Sequence, residues 1–192
     1  TYYLALIETA GNQRYIFESN RVRAQVGASE LVARSCTEWV LEAVGYSPDV
    51  EPDDEFPPST VARARWLLGQ PPIECRSESD QAAEVEVVLA TSGKALLLAR
   101  ERGPLVDVIR AVTRRAIDEA PGLDIAGAIL GFKWAEQDLS EVYQRVVRDL
   151  ANQRAQLMPT TARFPQLPPL ATCADTGLPG TRLQQPDGRE GT

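Results

Sequence analysis

Short apolar segments alternate with longer amphipathic ones along the first 158 residues. Residues 2–8 are aromatic and aliphatic and end in an acid, which is typical of a buried strand. Residues 84–90 alternate acidic and aliphatic side chains, residues 94–100 are mostly apolar, and Thr91-Ser92-Gly93-Lys94 between them is rich in turn residues. These two segments predict a β-hairpin. The apolar segment 123–131 predicts a fourth strand.

Helical periodicity fills most of the sequence between the predicted strands. Residues 13–44 repeat apolar positions about every 3.6 residues, but Gly27-Ala28-Ser29 interrupts the pattern and predicts a break between two helices. Ser29 is then expected to cap the second helix, because its hydroxyl can accept a free backbone N–H. Further amphipathic helices are predicted over residues 103–120 and 139–157.

The predicted elements follow one another as βαββαβ, with an additional helix at the end. This is the order of the ferredoxin-like α+β fold, so we expect a four-stranded antiparallel sheet with helices on one face and an extra C-terminal helix. Residues 1–158 are assigned to this domain. Within it, residues 46–58 combine prolines with acids and predict a disordered insertion. Residues 159–192 lack periodicity and predict an irregular tail.

Charge and residue types restrict the possible chemistry. The chain has 192 residues, a net charge of −7 and no histidine. The charge argues against a broad nucleic-acid-coating surface, and the lack of histidine excludes Ser-His and Cys-His nucleophiles. The three cysteines are far apart and odd in number, which argues against a disulfide framework. No apolar run is long enough to span a membrane and no signal peptide is recognised, so a cytoplasmic protein is expected.

Four regions resemble the palm domain of the large polymerase/cyclase subunit of type III CRISPR complexes, a family of cyclic-oligoadenylate synthetases. Residues 6–17 are similar to the first strand and turn of that palm, which typically reads D-x-x-G-I-Q-x-F-I-F. Residues 19–23 and 27–31 resemble its S-x-x-L-R and G-[GA]-S-x-L segments. Residues 91–97 fall where its central hairpin carries GGDD, and residues 168–179 resemble its zinc-binding C-x-x-C-G-x-P-A stretch.

The resemblance implies a palm that binds nucleoside triphosphates. Active members polymerise ATP with two metal ions, Mg²⁺ or Mn²⁺, held by carboxylates at the end of the first strand and in the hairpin. Here Glu8 is the only acid in a ligand position, whereas the hairpin has Gly93-Lys94 and no acid from Ala90 to Ala99. The zinc-ribbon-like stretch is degenerate too, because it keeps Cys173 but has Thr176 in place of the second cysteine.

Candidate site residues follow from the same resemblance. Glu8 is the only candidate for a catalytic residue or metal ligand. Lys94 is expected to neutralise phosphate charge in place of a metal, and glycine allows close backbone approach. The candidate nucleotide contacts are Gly11, Gly27, Ser29, Gly93 and Lys94, and the candidate phosphate or partner contacts are Arg21 and Arg23. The structural alternatives are a strand-end acid paired with an arginine for Glu8, a helix cap for Ser29, an exposed hairpin lysine for Lys94, and a solvated helix face for the arginines.

Three functions fit these observations. The first is a non-catalytic palm domain of a type III CRISPR-like antiviral effector, which binds a nucleotide or pairs with a second, active palm. The second is an active nucleotidyltransferase that makes cyclic oligoadenylate from ATP, and the third is a purely structural interaction module. The hairpin without carboxylates favours the first. The expected partners are a second palm domain in the same or another chain, CRISPR-like effector subunits or guide RNA, and no membrane.

Overall fold

The computed structural model describes residues 1–45 and 85–158. Four strands form one antiparallel sheet with the spatial order β2-β3-β1-β4. They are β1 (Tyr2–Ala10), β2 (Val85–Thr91), β3 (Lys94–Ala99) and β4 (Asp124–Phe132). The order and pairing are ferredoxin-like, as the sequence predicts, and each strand begins and ends within two residues of its predicted bounds. The predicted insertion at 46–58 and the tail at 159–192, with Cys173, lie outside the described residues.

Helices connect the strands and follow the last one. They are α1 (Asn12–Phe17), α2 (Val22–Cys36), α3 (Glu38–Ala43), α4 (Arg102–Glu119) and α5 (Leu139–Gln156). The last two match the predicted helices within one residue at each end. Asp138 caps α5, where its carboxylate accepts the backbone N–H of Ser140 at 2.6 Å. In the described parts of the chain, no helix combines the length and the apolar character needed to cross a membrane.

The predicted helix break at Gly27-Ala28-Ser29 is wrong, and so is the role of Ser29 as a cap. All three residues lie inside α2. A glycine inside a helix costs only about 1 kcal/mol, and burial of Val32 and Cys36 further along α2 offsets that cost. The break comes earlier, at Ser19, whose hydroxyl accepts the backbone N–H of Arg21 at 3.2 Å.

The two faces of the sheet are covered by different helices. On one face Gly127 of β4 lies against Ile109 of α4. A Cβ on Gly127 would be only 2.8 Å from the Ile109 side chain. On the other face Glu8 forms an ion pair with Arg154 of α5. Glu8 is opposite Ala126, the neighbour of Gly127, and adjacent residues of a strand point to opposite faces. The prediction of helices on one face is therefore wrong for α5.

The sequence of β1 gives the physical reason for this second layer. Leu4, Ala5, Leu6 and Ile7 are consecutive and each at most 3% exposed. Because alternate side chains point to opposite faces, four consecutive buried residues require cover on both sides of the sheet. On the α4 side, α3 packs against α4, with the Arg115 guanidinium 5.2 Å from the Trp39 ring centroid. Val142, Val146 and Leu150 of α5 are buried on the other side.

Candidate functional site

The candidate site lies where the end of β1 meets the turn between β2 and β3. Gly93 occupies this turn with φ at 78°, in the left-handed region that favours glycine. Its carbonyl accepts the backbone N–H of Thr9 at 2.9 Å and the Thr9 hydroxyl at 3.3 Å. A Cβ on Gly93 would be 2.8 Å from the Thr9 Oγ1 and 3.3 Å from the Asn12 Nδ2. The hairpin turn is therefore seated against β1 and the start of α1.

Glu8 and the two cations that hold its carboxylate form the charged centre of this site, which we call the Glu8 triad (Glu8, Lys94 and Arg154). Glu8 is directly opposite Lys94 in the β1–β3 pairing, and the Lys94 Nζ is 3.4 Å from the Glu8 Oε1. The Arg154 Nη1 is 3.1 Å from the Glu8 Oε2. The Arg154 Nη2 also donates to the backbone carbonyl of Thr9 at 2.9 Å. The carboxylate is thus shared between a strand lysine and a helix arginine.

The Glu8 triad does not fit a two-metal centre. A hard divalent cation needs several oxygen ligands, and two metals need more than one carboxylate. Glu8 supplies one carboxylate, and each of its oxygens already faces a cationic side chain. Across residues 1–45 and 85–158, no three carboxylates or cysteines lie close enough to hold a metal ion. The resident charges at this site are suited to an anion.

The remaining candidate residues divide into those near the turn and those on α2. Gly11 precedes α1 with φ at 65°, and its carbonyl accepts the backbone N–H of Tyr15 at 2.9 Å. Gly27 and Ser29 are exposed within α2, and apart from the adjoining backbone of α2 no atom lies within 4 Å of the position that a Cβ on Gly27 would take. Arg21 precedes α2 and Arg23 lies in its first turn, both exposed. The structure therefore joins Glu8, Gly93 and Lys94 by direct contacts, but it shows none that joins them to Gly27 or Ser29 within the described ranges.

Arg154 is a residue of the site that the sequence reasoning missed, although the sequence carried a signal for it. Val142, Val146 and Leu150 are buried and four residues apart, and Arg154 continues the same series. Residues four apart share a helix face, so the buried Leu150 indicates that Arg154 lies on the side of α5 that faces the sheet. A cation on an otherwise apolar face needs an anionic partner, and Glu8 is that partner.

Cys36 lies beneath the site and is not part of its chemistry. The side chain is fully buried at the end of α2. Burial raises the pKa of its thiol from the ordinary value of 9.0 to about 11, against the smaller effect of hydrogen bonds from Ser35 and the Thr9 backbone. The thiol is therefore protonated at neutral pH, which is typical of a structural cysteine and not of a nucleophile.

Comparison with known proteins supports the fold. No protein-family model matches the chain, and no curated protein matches its sequence. Among solved structures, a Csm1–Csm4 subcomplex of the type III-A CRISPR-Csm interference complex matches with a TM-score of 0.53 and 11% identity. Csm1–Csm4 cassettes in complex with one ATP and with cA4 each match with a TM-score of 0.54 and 11% identity.

Each of these matches covers 81% of the present chain and 19% of the other chain. The chain therefore spans about a fifth of the length of the proteins that it resembles. At 11% identity the likeness concerns the backbone arrangement. The chain has the fold of a domain found in the Csm1–Csm4 assemblies of type III CRISPR systems.

Proposed function

We propose that this chain is a non-catalytic palm domain of a type III CRISPR-like antiviral effector, and that it binds the phosphates of a nucleotide without a metal ion. The observation that carries the proposal is the Glu8 triad. In it, the strand-end carboxylate is held by Lys94 and Arg154 at 3.4 and 3.1 Å, where a catalytic palm would hold metals. Two cations and one carboxylate leave one net positive charge beside the hairpin turn.

Three features favour a phosphate ligand at this end of the sheet. Lys94 is about a third exposed, at 36% of its side chain, so the side chain is accessible from solvent. Gly11 and Gly93 both have positive φ and present backbone without a side chain. Solved structures of similar fold include Csm1–Csm4 cassettes in complex with ATP and with pppApApA. Gly27 and Ser29 of α2 are proposed to contact the part of the nucleotide furthest from the turn.

The binding proposal is tested by calorimetric titration of the 192-residue chain with ATP, in EDTA and again in Mg²⁺. Binding is expected in EDTA, with modest weakening by salt and no gain from Mg²⁺. Lys94→Ala and Ser29→Ala should each weaken it. Arg110→Ala, on an exposed face of α4, is the control and should leave the affinity unchanged. Absence of binding at millimolar ATP would refute the nucleotide proposal.

The non-catalytic part is tested by incubating the chain with ATP and Mg²⁺ or Mn²⁺ and analysing the products by mass spectrometry. No linear or cyclic oligoadenylate is expected, because two-metal chemistry needs carboxylates that the hairpin lacks. Synthesis that is lost in Glu8→Ala would establish an active enzyme instead.

A second candidate function, pairing with another palm, has its own supporting observation. Phe17, Val22 and Val26 are exposed by 63%, 72% and 64% near the start of α2. Val22 and Val26 are four residues apart and share one helix face. Exposed apolar clusters of this kind often mark interaction sites. This is tested by mixing the chain with an active palm and measuring the mass of any complex by light scattering. Val26→Asp is expected to abolish the complex. Ile117→Asp is the control, because Ile117 is also exposed, by 68%, but lies on α4.

A further inference from the structure

We infer that Glu8 is an internal counter-anion that weakens the binding of phosphate at this site, so that its removal strengthens binding. The inference rests on the proposed function, since it concerns the same end of the sheet. It gives Glu8 a role opposite in sign to that of a metal ligand. A ligand carboxylate supports nucleotide binding, whereas a counter-anion competes with the nucleotide for the same cations.

The geometry of the Glu8 triad supports this role. The two carboxylate oxygens bind different cations, with Oε1 facing the Lys94 Nζ at 3.4 Å and Oε2 facing the Arg154 Nη1 at 3.1 Å. A phosphate group recognised by a lysine and an arginine presents two oxygens in the same manner. Glu8 therefore occupies the anion position between the two cations. The side chains are 27–36% exposed, so an incoming anion can reach them from solvent.

The charges around the triad set the direction of the effect. With Glu8 ionised, the triad carries one net positive charge, and without it the charge is two. The neighbouring pair of Arg14 and Asp124, 3.3 Å apart, carries no net charge. Removal of one negative charge at roughly 6 Å from a bound phosphate, at an effective dielectric constant of about 40–80, corresponds to about three- to tenfold tighter binding. If Glu8 were a metal ligand, the same change would weaken binding in the presence of Mg²⁺.

The experiment is a calorimetric titration of the full chain with inorganic tripolyphosphate, in EDTA and again in Mg²⁺. Glu8→Gln should bind about three- to tenfold more tightly than the wild type, whereas Lys94→Gln and Arg154→Gln should bind more weakly. Asp107→Asn is the matched control, because it changes the net charge equally on an exposed residue of α4. The start of α4 follows the end of β3, at the end of the sheet away from the hairpin turn. The affinity of Asp107→Asn should therefore stay within about twofold of the wild type.

A second comparison guards against a folding defect in Glu8→Gln. The double variant Glu8→Gln/Arg154→Gln should bind tripolyphosphate more tightly than Arg154→Gln alone. Both variants lack Arg154, so replacement of Glu8 leaves no arginine without its partner. Equal or weaker binding in both comparisons would overturn the inference. The proposed function fails separately, if the wild-type chain does not bind ATP at millimolar concentration. If Glu8→Gln binds tripolyphosphate more tightly than the wild type but does not bind ATP more tightly, the two cations bind an anion other than a nucleotide. That result would support the role of Glu8 as a counter-anion but not the proposed nucleotide binding.

Discussion

Replacement of Gly93 by alanine tests how firmly the hairpin turn is seated on β1. The φ angle of Gly93 is 78°, which alanine adopts only with strain. Its new Cβ would also be 2.8 Å from the Thr9 Oγ1 and 3.3 Å from the Asn12 Nδ2. Relief of the first contact moves the Thr9 hydroxyl away from the Gly93 carbonyl that it now binds at 3.3 Å.

The expected magnitude is the sum of two effects. The left-handed conformation costs a non-glycine residue about 1–2 kcal/mol, and loss of a hydrogen bond costs about 0.5–1.5 kcal/mol. Gly93→Ala should therefore lower the free energy of unfolding by about 1.5–3.5 kcal/mol. Gly11 also has a positive φ, of 65°, but a Cβ on it would meet nothing closer than the Arg14 side chain at 3.8 Å. Gly11→Ala should therefore cost only the backbone strain, about 1–2 kcal/mol.

The free energy of unfolding is measured by urea denaturation followed by far-ultraviolet circular dichroism. Gly27→Ala is the opposite control. It lies in α2, and only the adjoining backbone of α2 is near its Cβ position, so alanine should stabilise the chain by about 0.5–1 kcal/mol. If Gly93→Ala costs no more than Gly11→Ala, the turn is not packed against Thr9 as described. If Gly27→Ala destabilises the chain, α2 does not run through this position.

Two further predictions concern the buried core. Cys36 has a raised pKa of about 11 in the folded chain against 9.0 ordinarily, so its contribution to stability is complete below pH 9 and is lost as the pH rises to 11. Between pH 9 and pH 11 the free energy of unfolding of the wild type should fall by about 2–3 kcal/mol relative to that of Cys36→Ala. Parallel curves of unfolding free energy against pH for the two proteins would contradict the raised pKa of Cys36. Gly127→Ala should cost about 1–3 kcal/mol because its Cβ would be 2.8 Å from Ile109. The cost should shrink in an Ile109→Ala background, and full additivity would show that the two residues do not meet.

The strands and the hairpin could be predicted from the sequence because their signals are local. Alternation of side chains in residues 84–90 and the turn residues Thr91 to Lys94 define a hairpin without reference to the rest of the chain. The structure places β2 at Val85–Thr91 and β3 at Lys94–Ala99 accordingly. The pairing of Glu8 with Lys94 depends on the β1–β3 register, which the sequence does not reveal.

The features that the sequence did not predict depend on local side-chain hydrogen bonds or on tertiary contacts. The break between α1 and α2 is set by the Ser19 hydroxyl and by the Gln25 side chain, which donates to the Ser19 carbonyl at 2.9 Å. Gly27 resembled a break because helix propensity alone disfavours glycine, but packing of the remainder of α2 outweighs it. Arg154 acts at the site only because α5 returns across the second face of the sheet.

The central claim, that the hairpin end of the sheet binds nucleotide phosphate without a metal ion, is tested most directly by nuclear magnetic resonance. The ¹⁵N-labelled chain is titrated with ATP in EDTA, and the backbone amide shifts are followed. The largest changes are expected at Thr9, Gly11, Gly93 and Lys94, with the same residues affected when Mg²⁺ replaces EDTA. Changes that require Mg²⁺, that fall at the opposite end of the sheet around Trp134, or that are absent at millimolar ATP would contradict the account.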